Sequence, residues 1–255
     1  MSDPRTNPYA TPIPGSRGAD GGGTGTGRPG LPSELGVKPD ARLAMAFLTQ
    51  SFVWMFVGLL VTAGVAFFVQ GSPALINFAA DIWLFLIIGQ LALALGIQFG
   101  IRKINASLAL GLFFVYAASL GLTIGLIVSA YTSASVVTAF LSASAMFGAA
   151  AIYGHVTKRS LAKLGGILFM GVIGLVVASV LNIFLASSSL TFIISIIGVL
   201  IFTALTAYDV QRIQNGDLAV YTGSMEKAAV LGALHLYLDF INIFLFLLRI
   251  FGSRD

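Results

Sequence analysis

Long apolar stretches separated by short polar segments occupy almost all of the chain after residue 41. Each stretch is about 20 residues long, the length that an α-helix needs to cross the hydrocarbon core of a bilayer. The pattern predicts helices over residues 44–69, 81–100, 106–130, 135–154, 164–186 and 190–209, and a weaker one over 228–251. We therefore predict an all-α membrane protein, with seven transmembrane helices in a domain that spans residues 41–255.

Residues 1–40 differ in composition from the rest of the chain. They are rich in Gly, Pro, Ser and Thr, with GADGGGTGTGRPG near their centre. Such a segment cannot bury enough apolar surface to fold, so we predict a disordered cytoplasmic tail. The glycines do not indicate a phosphate-binding loop, because no Gly-Lys-Ser/Thr follows them.

Basic residues fall on alternate connections between the predicted helices. Three connections, at residues 71–80, 131–134 and 186–189, contain no Lys or Arg. The basic positions of the other connections are Arg42, Arg102, Lys103, Lys158, Arg159, Lys163, Arg212 and Lys227. Because cytoplasmic loops carry the excess of Lys and Arg, this pattern predicts a cytoplasmic N-terminus. For the last helix two placements are compatible with the pattern: a full crossing, or a return of the C-terminus to the cytoplasm.

Composition excludes several classes of function. The chain has no cysteine, so it has no disulfide, no thiolate metal site and no cysteine nucleophile. Its formal charge of +4 is explained by the basic residues that orient a protein in the membrane. No basic cluster alternates with aromatic residues as on a nucleic-acid-binding surface. We expect lipid and not nucleic acid as its partner, and we expect no bound cofactor.

Two carboxylates lie within the apolar segments. Asp239 is in the middle of the last stretch, and Asp209 ends the stretch before it. A carboxylate in hydrocarbon costs several kcal/mol, so it needs a partner or a water-filled cavity. A short cytoplasmic connection joins the two helices, which predicts that they pack side by side and bring the acids near each other.

An acid pair of this kind has a definite chemistry. Two carboxyl groups in contact cannot both ionise cheaply, so they share a proton and tie their helices together. Loss of the proton converts the bond into repulsion and exposes oxygen ligands of the kind that Ca²⁺ prefers. We interpret Asp209 and Asp239 as a pH sensor, a gate and a transient Ca²⁺ site. Arg102 or Lys103 is the candidate latch partner of the ionised Asp209. The alternative is that each acid is only a packing residue.

Other polar residues of the apolar segments are candidate accessories to this site. His235 precedes Asp239 by four residues, and we interpret it as a hydrogen-bond partner or second titrating group. The remaining accessories are Asn242, Tyr208, Tyr237 and Gln90. Two small-residue spacings, Gly96 with Gly100 and Gly121 with Gly125, predict close helix packing.

The two segments that carry the acids resemble the Bax inhibitor-1 family. GALHLYLDFINIFLFLLRIFG, residues 232–252, is similar to the family's C-terminal signature, and TALTAYDVQRI, residues 203–213, is similar to the end of its sixth helix. The resemblance implies six helices surrounding a central seventh, and a pH-sensitive calcium leak of the bacterial type with Asp209 and Asp239 as its sensor. It also implies a basic latch residue at the end of the second helix and a bacterial inner (plasma) membrane location. Some relatives carry an acid where this chain has the uncharged Gln90.

Rival functions stay open at this point. An intramembrane aspartyl protease also uses two acids on adjacent helices, but Asp239 lacks the Gly-x-Gly-Asp context of those enzymes. A zinc hydrolase needs about three protein ligands, and the chain has only two histidines, His155 and His235. We therefore do not expect an enzyme. A proton-coupled cation transporter, or a membrane regulator that acts by binding other membrane proteins, remains an alternative.

Overall fold

The computed structural model describes residues 41–253, so the predicted disordered tail lies outside the described residues. The described chain forms helices α1 (Ala41–Gln70), α2 (Pro73–Asp81), α3 (Trp83–Gly100), α4 (Ala106–Val128), α5 (Ser133–Val156), α6 (Leu164–Leu185), α7 (Ser188–Gln214), α8 (Asp217–Thr222) and α9 (Met225–Phe251). Seven of them are long and apolar enough to cross a membrane, namely all except α2 and α8. The predicted all-α, seven-helix class is confirmed.

Two short helices were predicted as connections. In α2, Pro73 occupies the first turn, and the Ser72 hydroxyl accepts a hydrogen bond from the Leu75 amide at 3.5 Å. Proline with a preceding serine cap favours a helix start, which explains this turn-like segment becoming helical. Helix α8 is bounded by Gly216 and Gly223, whose φ angles of 79° and 71° are positive. These two glycines set the sharp bends that lead from α7 through α8 into α9.

Helix α9 is the most buried of the seven long helices. In its most apolar window 78% of the residues are buried, against 11% for α3 and 6% for α6. It packs against α1, α4, α5, α7 and α8, whereas α3 packs chiefly on α4 and α6 on α7. This arrangement is compatible with a central C-terminal helix, with α3 and α6 as outer helices.

Glycines set the closest approach of several helices. A side chain at Gly121 would meet Val65 of α1 at 2.6 Å, and one at Gly125 would meet Val69 at 2.7 Å. The predicted close packing at this pair of glycines is therefore present, between α4 and α1. The same prediction for Gly96 and Gly100 is wrong, because a Cβ at either position would have no neighbour of the described chain within 4 Å. These two glycines lie on an open face of α3.

The ends of α9 lie at opposite ends of the bundle. Near its start, Lys227 Nζ donates to the Arg102 carbonyl oxygen at 3.3 Å, next to the basic connections. Beyond its end, the Ser253 amide donates to Ser135 Oγ at 3.0 Å, and the Thr132 amide donates to the Ser253 carbonyl oxygen at 3.2 Å. Of the two placements compatible with the sequence, the structure has α9 running the full length of the bundle.

Candidate proton-sensitive cation site

Helices α7 and α9 place both acids in the interior of the bundle. Asp209 is 7% exposed and Asp239 is 3% exposed. Helix α7 does not end at Asp209, as the hydropathy pattern predicts, but continues to Gln214. Because of this extension Asp209 lies within the helix, on the face that packs against α9. Asp209 acts electrostatically on the Asp239 carboxyl group, so the structure brings the two predicted acids together.

Thr206 is the hydroxyl partner of Asp239. It lies on α7, one turn before Asp209, and its hydroxyl is close enough to the Asp239 carboxyl group to interact with it. Its Oγ1 also lies 2.9 Å from the Phe202 carbonyl oxygen. The other carboxyl oxygen of Asp239, Oδ2, is buried and has no hydrogen-bond partner among the described residues. Thr206 was not among the predicted site residues, although its spacing of three residues from Asp209 places both on one face of a helix.

The Thr206 hydroxyl has fewer hydrogens than it has acceptors nearby. A threonine hydroxyl has one hydrogen, and Thr206 faces two acceptors, the Phe202 carbonyl oxygen and the Asp239 carboxyl group. If Asp239 carries a proton, it donates to Thr206, which donates to Phe202, and every hydrogen has a partner. If Asp239 is ionised, the hydroxyl hydrogen must turn from Phe202 to the carboxylate. The geometry therefore accommodates both protonation states of Asp239, with one hydrogen that moves between them.

His235 contacts Asp209 and not Asp239. Its Nδ1 lies 3.7 Å from Asp209 Oδ1, and its Nε2 lies 2.7 Å from Gln98 Oε1 on α3. The prediction had paired it with Asp239, four residues later on the same helix. His235 is one turn nearer the basic end of the bundle, where Asp209 also lies, and helical side chains lean toward the N-terminus of their helix. Gln98 was missed; its polar character within an apolar stretch was the available signal.

The remaining accessory residues lie away from the acids or make local contacts. Gln90 Nε2 donates to the Ser119 carbonyl oxygen at 2.9 Å and to Thr123 Oγ1 at 2.8 Å, which ties α3 to α4. Asn242 Nδ2 donates to the Leu238 carbonyl oxygen at 2.8 Å within its own helix. Both residues satisfy interhelical or helical hydrogen bonds in this conformation.

The two tyrosines that precede the acids pack in different places. Tyr237 Oη lies 2.6 Å from Thr62 Oγ1 of α1. Tyr208 lies against Gly165 of α6, where an added Cβ would meet the tyrosine ring at 2.6 Å. Neither contact involves a carboxyl group.

The candidate latch residues are on the surface at the basic end. Arg102 and Lys103 follow α3 and both are exposed. In this conformation the basic side chain within ion-pair distance of Asp209 is that of His235. Either basic side chain would have to move inward to reach Asp209.

Gln211 of α7, two residues after Asp209, holds the connection between α5 and α6 against α7. Its Oε1 accepts from the Leu161 amide at 2.7 Å, and its Nε2 donates to the Arg159 carbonyl oxygen at 2.9 Å. The basic connection at residues 157–163 is thereby held beside the end of α7.

The oxygen ligands suit a cation that keeps much of its water. Among the described residues no three His, Asp or Glu side chains come together closely enough to hold a metal ion. Carboxylate oxygens, completed by water, are the kind of ligand that hard divalent cations prefer.

Comparison with known proteins agrees with this architecture. The family described as "Inhibitor of apoptosis-promoting Bax1" matches residues 44–255. The chain is 44% identical over 224 residues to the inner membrane protein YbhL of Escherichia coli. The aligned region covers 86% of this chain and 95% of that protein. It is 43% identical to an uncharacterized protein of Deinococcus radiodurans, over 82% of this chain and 91% of that one. It is 39% identical to the uncharacterized protein YrjE of Lactococcus lactis, over 81% and 90%. The chain is a multi-pass membrane protein that belongs to the Bax inhibitor-1 family.

Proposed function

We propose that this protein is a pH-sensitive passive Ca²⁺ leak channel, gated by a proton that Asp209 and Asp239 share. The observation that carries the proposal is the burial of both carboxyl groups at the contact of α7 with α9, with Asp239 Oδ2 lacking any described partner. A buried carboxyl oxygen without a partner is costly unless the group changes its protonation or binds a cation. In a conduction path, protons and cations reach the carboxyl group, so it can change its protonation and bind a cation there.

The gate works through the charge of the pair. With one shared proton, the two carboxyl groups attract and α7 stays against α9. When the proton leaves, two negative charges in a medium of low dielectric repel each other and favour separation of the helices. The freed oxygens then provide transient ligands for Ca²⁺, the transported ion. Protons also compete with Ca²⁺ for these oxygens, so both effects reduce flux in acid.

The location of the basic residues sets the orientation that we propose. With the N-terminus in the cytoplasm of a bacterial cell, the connections that carry Arg102, Lys103 and residues 157–163 face the cytoplasm. Asp209 lies near this end, and Ser253 lies at the other. Arg102 or Lys103 is the proposed latch partner of the ionised Asp209, and such a pair would oppose the opening that repulsion favours. The protein acts on Ca²⁺ and protons within the lipid bilayer and is not an enzyme.

The test is Ca²⁺ flux into dye-loaded proteoliposomes at a series of pH values from about 5 to about 8, on both sides of neutral pH. We expect flux to rise with pH in the wild type. In Asp209→Asn and Asp239→Asn the proton-dependent repulsion is absent, so flux should vary little with pH. Asp217→Asn, which changes an acid on α8 outside the pair, is the matched control. Flux no greater than in empty liposomes at every pH would refute the leak.

A further inference from the structure

The ring of His235 has a hydrogen-bond partner at one nitrogen and none among the described residues at the other. Its Nε2 lies 2.7 Å from Gln98 Oε1, and with the Gln98 amide in this orientation the oxygen accepts, which places the ring hydrogen of the neutral histidine on Nε2. The lone pair of Nδ1 is then free. That atom is buried and has no hydrogen-bond partner among the described residues. Metal-binding histidines usually donate their second ring N–H to an oxygen in this way, which fixes the ring and its tautomer.

Asp209 provides the second ligand at a suitable distance. Nδ1 of His235 and Oδ1 of Asp209 are 3.7 Å apart, too far for a hydrogen bond. An ion about 2.1 Å from each atom would subtend an angle of about 125°, within the range of a distorted tetrahedral site. Asp239, the other acid of the pair, also has a buried carboxyl oxygen, Oδ2, without a partner among the described residues.

Imidazole nitrogen distinguishes this site from a pure calcium site. Ca²⁺ takes oxygen ligands, whereas a histidine with a carboxylate suits Zn²⁺ and its neighbours in the first transition row. We propose that His235 and Asp209 form a binding site for a divalent transition-metal ion of the zinc class, completed by water, at the cytoplasmic side of the acid pair. Because the ion occupies Asp209, it blocks the path of Ca²⁺; this second part rests on the proposed leak.

The site lies just beneath the surface of the bundle. The side chains of His235 and Asp209 are 13% and 10% exposed, while His235 Nδ1 itself is buried, so an ion enters only when the side chains that cover this atom move aside. With two protein ligands the ion is held less firmly than in a structural zinc site, which has four. We therefore expect reversible binding, as suits a blocker.

The experiment is calorimetric titration of Zn²⁺ into the detergent-solubilised full-length protein after removal of any affinity tag. The chain has only two histidines, so His155→Gln is the matched control for His235→Gln. We expect one saturable site in the wild type and in His155→Gln, and at least a tenfold loss of affinity in His235→Gln and Asp209→Asn. Gln98→Leu, which removes the acceptor that orients the ring, should weaken binding by about tenfold.

Two further measurements keep the outcome decisive. X-ray absorption of the zinc-loaded wild type should show one imidazole among oxygen ligands, a result that does not depend on any variant folding. Zn²⁺ should block Ca²⁺ flux through the wild type and through His155→Gln, and should block His235→Gln at least tenfold less strongly. Equal Zn²⁺ affinity in wild type and His235→Gln, absence of saturable binding, or a shell without imidazole would overturn the site. Zinc binding that depends on His235 in a protein that passes no Ca²⁺ would instead retain the site and refute the leak.

Discussion

The hydroxyl of Tyr237, on α9, lies 2.6 Å from Thr62 Oγ1 of α1. Tyr237 precedes Asp239 by two residues. Thr62 Oγ1 in turn lies 2.8 Å from the Ala117 carbonyl oxygen of α4. One buried hydroxyl pair therefore joins α9, α1 and α4 at the depth of the site. The rings of Phe113 and Tyr116 pack edge-on against Tyr237, with centroids 5.5 and 6.0 Å from its own.

Tyr237→Phe removes this bond and keeps the ring packing. Because interhelical hydrogen bonds in membrane proteins contribute modestly, we expect the free energy of unfolding to fall by about 1 kcal/mol. Thermal unfolding in detergent measures the change. Tyr153→Phe, at a 51% exposed position on α5, is the control and should unfold like the wild type. If both variants unfold at the wild-type temperature, the hydroxyl pair does not stabilise the bundle.

Gly154 of α5 lies against Ala207 of α7. Ala207 precedes Asp209 by two residues. A Cβ at Gly154 would overlap the carbonyl oxygen of Ala207, which is backbone and cannot turn away. Gly154→Ala should therefore lower the free energy of unfolding by about 1–3 kcal/mol. Gly96→Ala has open space around it and should leave stability unchanged or raise it by up to about 1 kcal/mol. Equal effects of the two substitutions in the same unfolding assay would contradict the close approach.

The Thr206 hydroxyl can interact with Asp239 in both protonation states, but a hydrogen bond to the charged carboxylate is the stronger of the two. Thr206→Val removes the hydroxyl, so the ionised form loses more than the protonated form and a higher pH is needed to open the gate. We expect the midpoint of the flux–pH curve to move upward. Thr206→Ser retains the hydroxyl and should keep the wild-type midpoint. A downward shift in Thr206→Val would contradict the role assigned to the hydroxyl.

Gln211 holds the connection at residues 157–163 with two hydrogen bonds. Gln211→Ala leaves the Leu161 amide without its acceptor, so hydrogen exchange across this connection should become faster. Mass spectrometry of the exchanged peptides measures it. The control is Gln214→Ala, in the last turn of the same helix, for which we expect wild-type exchange. Unchanged exchange in Gln211→Ala would show that other contacts hold the connection in place.

The seven long helices could be predicted because the thickness of the bilayer fixes the length of an apolar segment. Their ends were harder to place. Helix α7 continues beyond Asp209 through polar residues, and Arg212 in its last turn interacts favourably with the helix dipole. Helix α2 is too short for its apolar residues to form a distinguishable repeat, and it depends on the local capping by Ser72 and Pro73.

The acid pair could be identified from the sequence because carboxylates in apolar segments are rare. Its neighbours could not be assigned, since they depend on which helix faces which. His235 contacts Asp209 of α7 and Gln98 of α3, and no spacing within α9 contains that information. The two latch candidates remain predictions, because a latch would form only in another conformation.

The central claim is that loss of the shared proton separates α7 from α9. A Cβ at Gly232 of α9 would lie 3.1 Å from Ile213 Cγ1 of α7, one turn from Asp209, and 2.7 Å from Ser51 Oγ of α1. The two helices therefore approach closely here, and cysteines at Gly232 and Ile213 can be tested for a disulfide if the Ser51 hydroxyl turns aside. The natural chain has no cysteine, so the pair Gly232→Cys and Ile213→Cys can be oxidised without competing thiols. Ca²⁺ flux is then compared in the oxidised and reduced protein at the pH of highest wild-type flux, with each single cysteine variant as control. Our account predicts low flux when oxidised and recovery on reduction. Equal flux in the two states, with the disulfide verified by mass spectrometry, would contradict it.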